Sequence, residues 1–333
     1  MSEIRYDLLH NCEVIIAPER LTRPNILKIK EKQKDIKKCP FCKGNENLTP
    51  KEICSIKDSS GEWSVRVVPN LYRALSIEAD FNSKEQGLYE KMDGFGASEV
   101  IIDTPDHELY FDKLDSSQML KWLICLKSRV NDLKNDIRLT HFFIFKNQGV
   151  NSGATLPHSH TQLIATPFTP RNKLALLWHY YNYYKYNGRS IFKDIVDFEV
   201  DNSERIVKKS ENFISFCPYA SGFAFEIIIM PTFDVSYLND LDDNLLNELS
   251  STLKESLKAL RKELGGFDYN LNIIQPPVNK NYENEEFFDK IRKFCKFYIR
   301  ITPRLYKIGG FEIGSNVLIN PVEPERVAKL LRE

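Results

Sequence analysis

The same order of local patterns occurs twice along this chain, and that repetition restricts the fold more than any single motif. Val100-Ile-Ile-Asp-Thr-Pro105 matches Ile227-Ile-Ile-Met-Pro231. An amphipathic stretch follows each. Met119, Leu120, Leu123, Ile124, Leu126 and Val130 form one apolar stripe, and Leu245, Leu246, Leu249, Leu253, Leu257 and Leu260 form the other. Apolar residues three and four apart lie on one face of a helix. A strand comes next in each copy, and then Ile164-Ala-Thr-Pro167 matches Arg300-Ile-Thr-Pro303. A strand–helix–strand–strand unit used twice predicts an α+β fold of two tandem halves, 1–170 and 171–333, with helices packed on antiparallel sheets. In this register His160 falls opposite Lys296, and Gln162 opposite Tyr298. The first copy therefore carries the chemistry, and the second serves as scaffold.

Around this frame, further elements can be placed. Ser116 or Ser117 caps a helix running to about Asn135, Leu174 to Tyr186 reads as helical, and Gly265-Gly266 ends a helix begun near Asp242. Strands are expected at Trp63–Pro69, Glu99–Asp103, Phe213–Phe216, Phe223–Met230, Tyr269–Ile274 and Phe297–Pro303. The tail has a glycine-flanked turn at Lys307 to Gly314, a strand, and a helix from Glu325 to Leu331. Residues 1 to about 38 are polar and Lys-rich, and read as a solvated arm containing Arg20 and Arg23. Lys+Arg and Asp+Glu both number 46, so net charge gives no pull toward nucleic acid or a membrane surface. No apolar signal core opens the chain and no run approaches a membrane span, which makes cytoplasmic residence the expectation. Seven scattered cysteines, an odd number, argue against a disulfide framework; only Cys39 and Cys42 form a close pair.

The stretch with chemistry in it is Phe142-Phe-Ile-Phe-Lys-Asn147-Gln-Gly149-Val-Asn-Ser-Gly153-Ala-Thr155-Leu-Pro157-His158-Ser-His160-Thr-Gln162. An apolar strand leads into a loop where Gly149 and Gly153 let backbone N–H groups approach an anion. Pro157 starts a second extended segment. Residues two apart on a strand share a face, so His158, His160 and Gln162 point one way, and Ser159, Thr161 and Leu163 the other. A neutral imidazole there can act as base or nucleophile. Attack on phosphorus would give a phospho- or nucleotidyl-histidine and divide one displacement into two. His160 suits the nucleophile and His158 a metal ligand beside the Pro157 turn, although the residues alone also permit the reverse. Cys39-Pro-Phe-Cys42 is a knuckle with two soft ligands; His107 and His158 would complete a Cys₂His₂ set fit for structural zinc. The same cysteines are also consistent with buried small hydrophobes or a redox pair.

The run Asn147-x-Gly149-x-x-x-Gly153-x-Thr155-x-Pro157-His158-x-His160-x-Gln162 resembles galactose-1-phosphate uridylyltransferases and their relatives in the histidine triad superfamily. Cys39-Pro-Phe-Cys42-x-Gly44-Asn-Glu46, Val67-Val68-Pro69-Asn70, Thr104-Pro-Asp-His107, Pro218-Tyr219-Ala220 and Gly310-Phe311-Glu312 extend the likeness over nearly the whole chain. The resemblance implies two histidine-triad-like halves and transfer of a nucleotidyl group between a nucleotide sugar and a hexose 1-phosphate. It makes His160 the nucleotidylated residue and Gln162 a contact to the transferred phosphate. It gives zinc to Cys39, Cys42, His107 and His158, and substrate contacts to Arg20, Arg23, Asn70, Asn147, Gly153, Thr155, Lys307, Phe311 and Glu312. It also implies a homodimer. Two departures stand out. Many uridylyltransferases have a second His-x-His, holding a second metal, where this chain reads Lys296-Phe297-Tyr298, so no second metal site is expected. Asn70 is followed by Leu71 rather than the usual Asp, as in relatives acting on adenine nucleotides, such as ADP-sugar phosphorylases. The base is therefore open, as is the acceptor: hexose 1-phosphate, inorganic phosphate or water. A zinc-stabilised nucleotide-binding protein without turnover is the reading from another class.

Overall fold

A computed structural model describes residues 1–22, 38–280 and 286–333; the expected contact Arg23 lies outside them. Strands β1 (Glu3–Asp7) and β2 (Cys12–Ile16) open the chain. They are followed by β3 (Cys54–Lys57), β4 (Trp63–Pro69), the hairpin of β5 (Ser83–Gln86) and β6 (Tyr89–Met92), and β7 (Ala97–Ile102). Helix α1 (Ser116–Leu133) leads to β8 (His141–Gln148) and β9 (His160–Thr166). Beyond residue 170 come α2 (Arg171–Asn187), α3 (Ile191–Asn202), β10 (Ile206–Lys209), β11 (Phe213–Phe216), β12 (Ile227–Pro231), α4 (Asp243–Leu264) and β13 (Tyr269–Ile274). Short helices α5 (Glu286–Asp289) and α6 (Ile291–Phe294) precede β14 (Tyr298–Pro303). Helix α7 (Gly310–Ser315), β15 (Leu318–Asn320) and α8 (Pro324–Arg332) complete the α+β fold.

Among the described residues, ten strands make one sheet in the order β10-β11-β12-β14-β13-β8-β9-β7-β4-β3, all neighbours antiparallel. Each half supplies five strands in mirrored order, and the halves meet at a seam where β8 pairs β13, Phe145 opposite Asn272. Helices α1 and α4 pack on one face. There Trp122, Leu126, Leu163 and Ala165 of the first half and Leu249, Leu253, Ile299 and Ile301 of the second join one apolar core. The opposite face carries the other parity of residues, including His160 and Gln162.

The pairings correct the expected register between the copies. Both long helices are N-capped by aspartate, Asp115 accepting from the Gln118 N–H and Asp242 from the Leu245 N–H. The cap of α1 is thus Asp115, not Ser116 or Ser117. Aligning the two aspartates places Phe145 on Asn272. Phe145 pairs with Gln162, and Asn272 pairs with Arg300. Arg300 is therefore the counterpart of Gln162, Tyr298 of His160, and Lys296 of His158. The expected register was two residues off because it aligned strand ends, whereas ladder pairing is what fixes equivalence.

Three further expectations are corrected. Residues 1–22 are no solvated arm: β1 and β2 form a hairpin, β15 adds to β2 in parallel, and Val14 and Ile16 are buried, while 23–37 of the expected arm lie outside the described residues. Strand β12 starts at Ile227 rather than Phe223, because residues 223–226 turn through Phe225 at φ 62°, and this brings the Glu226 carboxylate to Arg300 Nε at 2.6 Å. The turn expected at Lys307 to Gly314 includes the helix α7, where Glu312 reaches back to the Gly309 N–H at 3.0 Å.

Candidate active site and metal centre

The knuckle folds on itself before it meets anything else. Asn45 Nδ2 donates to the Cys39 carbonyl at 2.8 Å, and Glu46 accepts from the Gly44 N–H and from Trp63 Nε1, the latter at 2.7 Å. This lays Phe41 into a small apolar cluster with Trp63, Val68, Val100 and Ile102, over the face of β4 and β7. The two sulfurs are thereby carried to the end of β7, where Thr104 and His107 follow.

His158 is fully buried, and its Nε2–H donates to the Thr104 carbonyl at 2.8 Å. A carbonyl can only accept, so the proton sits on Nε2 and Nδ1 presents a lone pair. That Nδ1 lies 3.7 Å from Cys39 Sγ and 3.6 Å from Cys42 Sγ, while His107 Nδ1 lies 3.3 Å from Cys42 Sγ. All four donor atoms fall within 4.8 Å of one another. Two thiols and two imidazoles at this spacing form a cluster that could hold a metal ion, and the backbone partner orienting His158 is typical of such ligands. Burial, together with Cys39 beside it, pushes the Cys42 thiol up to about 11; a bound cation would reverse that cost.

His160 uses its nitrogens the other way round. Its Nδ1–H donates to the His158 carbonyl at 2.8 Å, so Nε2 is the unprotonated nitrogen. Burial, then the charge of Lys146, lowers its pKa to about 4 and keeps the ring neutral. The ring lines a cleft of about 320 Å³ together with Phe41, Asn70, Gly153, Thr155 and Gln162. Gly153 and Thr155 are exposed on the loop, and Asn70 Oδ1 is turned back to accept from the Tyr72 N–H at 3.0 Å.

Behind the strand lies a polar network that the sequence reading missed. Lys146 and Asp103 are both completely buried and form an ion pair. Lys146 Nζ also donates to the His160 carbonyl at 2.8 Å. Asp103 further accepts from Ser159 Oγ at 2.9 Å and Thr161 Oγ1 at 2.8 Å, and Trp122 Nε1 donates to Thr161 Oγ1 at 3.0 Å. The backbone carrying His158 and His160 is thus gripped from its rear by alternate side chains. The available signal was Ser159 and Thr161 on the inward parity and a lysine ending an apolar run.

The glycine loop leans on the second half. Asp268 accepts from Asn151 N–H at 2.9 Å and from Asn151 Nδ2 at 2.7 Å. A Cβ at Gly149, whose φ is +86°, would lie 1.8 Å from Asp268 Oδ1, so only glycine fits there. Asn270 Nδ2 donates to Asn147 Oδ1 at 2.7 Å and to the Ser152 carbonyl at 2.9 Å. Asn147 therefore braces the loop rather than lining the cleft. Arg20, Lys307, Phe311 and Glu312 are not among the cleft residues; Phe311 is half exposed on α7.

Comparison with known proteins fits this geometry. The galactose-1-phosphate uridyl transferase N-terminal domain model matches residues 1–170, and the C-terminal domain model of the same family matches 177–332. This chain belongs to the galactose-1-phosphate uridyl transferase family. Within that family it is 33% identical to an ADP-glucose phosphorylase from Arabidopsis thaliana, over 99% of this chain and 92% of the relative. It is 27% identical to a galactose-1-phosphate uridylyltransferase from Thermotoga maritima, over 100% and 98%. The crystal structure of the Arabidopsis thaliana ADP-glucose phosphorylase with bound ADP-glucose superposes with a TM-score of 0.85 at 31% identity, covering 100% of this chain and 99% of that one. Membership in the uridyl transferase family makes the chain an enzyme of the nucleotidyltransferase kind. Among the described residues no helix is long and apolar enough to cross a membrane.

Proposed function

We propose that this chain moves a nucleoside monophosphate from a nucleotide sugar to a phosphate acceptor by way of a covalent bond to His160. The observation that carries the reading is the committed Nδ1–H of His160, which leaves Nε2 bare on the wall of a cleft it shares with the glycine loop. Nε2 attacks the α-phosphorus; the N–P bond forms as the P–O bond to the sugar phosphate breaks, and the sugar 1-phosphate departs with the electron pair. That leaving group is a stable oxyanion, so no general acid is required. The loaded ring is cationic, and the His158 carbonyl holds its Nδ1–H throughout. An acceptor oxygen then attacks the same phosphorus, the N–P bond breaks, and the ring returns neutral. The loop N–H groups from Asn151 to Ala154 are held by Asp268 and by the loop's own carbonyls, so the Thr155 hydroxyl and the Gln162 amide are what meet the phosphate oxygens. Asn70 faces the nucleoside. Zinc on Cys39, Cys42, His107 and His158 would tie the knuckle to the core and fix the carbonyl on which His160 is oriented.

Hexose 1-phosphate is the acceptor that completes a uridylyltransferase cycle. A phosphorylase cycle, with an ADP-sugar donor and inorganic phosphate as acceptor, is supported by the higher identity to the ADP-glucose phosphorylase, 33% against 27%. Intact mass after mixing with UDP-glucose or ADP-glucose separates them: one added UMP or AMP is expected, absent in His160→Ala. Supplying galactose 1-phosphate or inorganic phosphate then identifies the acceptor. No adduct with either nucleotide sugar would overturn the covalent mechanism.

A further inference from the structure

The sheet has a second cavity on the face that carries His160, and it shares two structurally equivalent positions with the first. It measures about 390 Å³, straddles the β8–β13 seam, and is lined by Phe143, Phe145, Lys173, Gln275, Tyr298 and Arg300 among others. Tyr298 and Arg300 stand where His160 and Gln162 stand in the first half. Aligning Asp115 with Asp242 places His141 and Phe143, which line this cavity, on Asp268 and Asn270, the residues bracing the glycine loop. At the two equivalent positions this cavity carries a phenol and a guanidinium in place of an imidazole and an amide.

The local charges do not balance. Arg300 is matched by Glu226 at 2.6 Å, and His10, whose Nε2 meets the Tyr298 hydroxyl at 3.1 Å, is matched by Asp7 at 2.6 Å. Lys173 has no ion pair or side-chain hydrogen bond among the described residues, although burial and the charge of Arg300 both lower its pKa. Two lining side chains, moreover, carry a buried polar atom without a partner, Gln275 Nε2 and His141 Nδ1. An uncompensated ammonium beside a guanidinium and an unused amide donor is the donor set that an oxyanion satisfies. The aromatic walls of Phe143, Phe145 and Tyr298 suit an apolar or flat remainder.

We propose that this cavity binds a small phosphate-bearing molecule, its phosphate held between Lys173 and Arg300, as a second anion site without covalent chemistry. The proposal stands on the seam cavity and holds whichever donor and acceptor the first cleft uses. Its test is site-resolved: the full-length protein is pulse-acetylated with acetic anhydride, with inorganic phosphate as the probe, and each lysine is followed by peptide mapping. Labelling of Lys173 should fall about tenfold once phosphate reaches ten times its dissociation constant. Exposed Lys84 and Lys91 should keep their rates. Gln275→Glu retains the oxygen that accepts from the Leu238 N–H but places a negative charge in the cavity. It should raise the protecting phosphate concentration at least ~tenfold. His160→Ala, which disables only the first cleft, should leave protection of Lys173 intact. Unchanged Lys173 labelling at every phosphate concentration, equal protection by chloride at matched ionic strength, or indifference to Gln275→Glu would each overturn the assignment.

Discussion

The two halves cover the same face of one sheet by different means. In the first, that face is roofed by the cysteine knuckle, with Phe41 over Val100 and Ile102 and with His107 and His158 beside the sulfurs. In the second, helices α2 and α3 lay Tyr180, Tyr181, Phe192 and Val196 against Ile228, Met230 and Tyr298. The counterpart of His158 is Lys296, only 5% exposed, whose ammonium pairs with Asp234. One copy of the unit keeps a thin roof pinned by four convergent donors, beneath which the His160 cleft opens; the other is roofed by two helices and their aromatic side chains. A duplicated scaffold can thus hold one set of backbone positions constant while cover and chemistry diverge.

The contrast can be broken, or sharpened, in four ways. The largest effect belongs to His160→Ala, which should abolish the nucleotide adduct and lower turnover about 10⁴-fold or more, as expected for loss of a nucleophile. Tyr298→Phe, at the equivalent position, should leave adduct mass and kcat within about twofold, since the phenol meets His10 and Tyr180, neither of which lines the His160 cleft. If Tyr298→Phe also erased the adduct, the functional asymmetry of the halves would be refuted. Next, Cys39→Ser should release the metal and cost roughly 4–5 kcal/mol by chemical denaturation, the range in which lost metal sites fall. Lys296→Met should cost about 1 kcal/mol or less, because its partner Asp234 is 81% exposed and stays solvated.

A third test probes the rear of the strand. Lys146→Met leaves Asp103 charged and buried with only Ser159 and Thr161 as donors, which should cost about 3 kcal/mol and slow adduct formation as His160 loses the brace on its carbonyl. Restoring neutrality with Lys146→Met plus Asp103→Asn should recover part of the stability. The smallest effect is expected from Asn270→Ala, which removes two hydrogen bonds from the loop while leaving both histidines untouched. Steady-state kinetics should show KM raised about fivefold, worth ~1 kcal/mol, with kcat nearly unchanged.

How much of this could be read from residues alone differed by the kind of constraint. The amphipathic periods gave α4 and β13 almost to the residue, because local burial dictates them. Cys39, Cys42, His107 and His158 were expected together and do converge. What stayed hidden depends on partners distant in the chain. The hairpin of β1 and β2 is recognisable only beside β15, from the other end of the sequence. The turn through Phe225 looks like strand composition, and its purpose is visible only once Arg300 is opposite. Lys146 sits in an apolar run where a cation looks out of place until Asp103 faces it. Asn270 gives no sign on its own strand that it holds another half's loop.

That last contact has a bearing on how the polypeptide could be divided. A fragment ending at residue 170 would keep every donor of the metal cluster and the cleft histidine His160, yet β8 would become a raw sheet margin bearing Phe143 and Phe145. Such a margin seeks another strand, so the severed piece should self-associate rather than stand alone. Producing the complementary fragment alongside it would return Asp268 and Asn270 to the loop, which makes reconstitution from two separately made pieces the condition for any activity of the first.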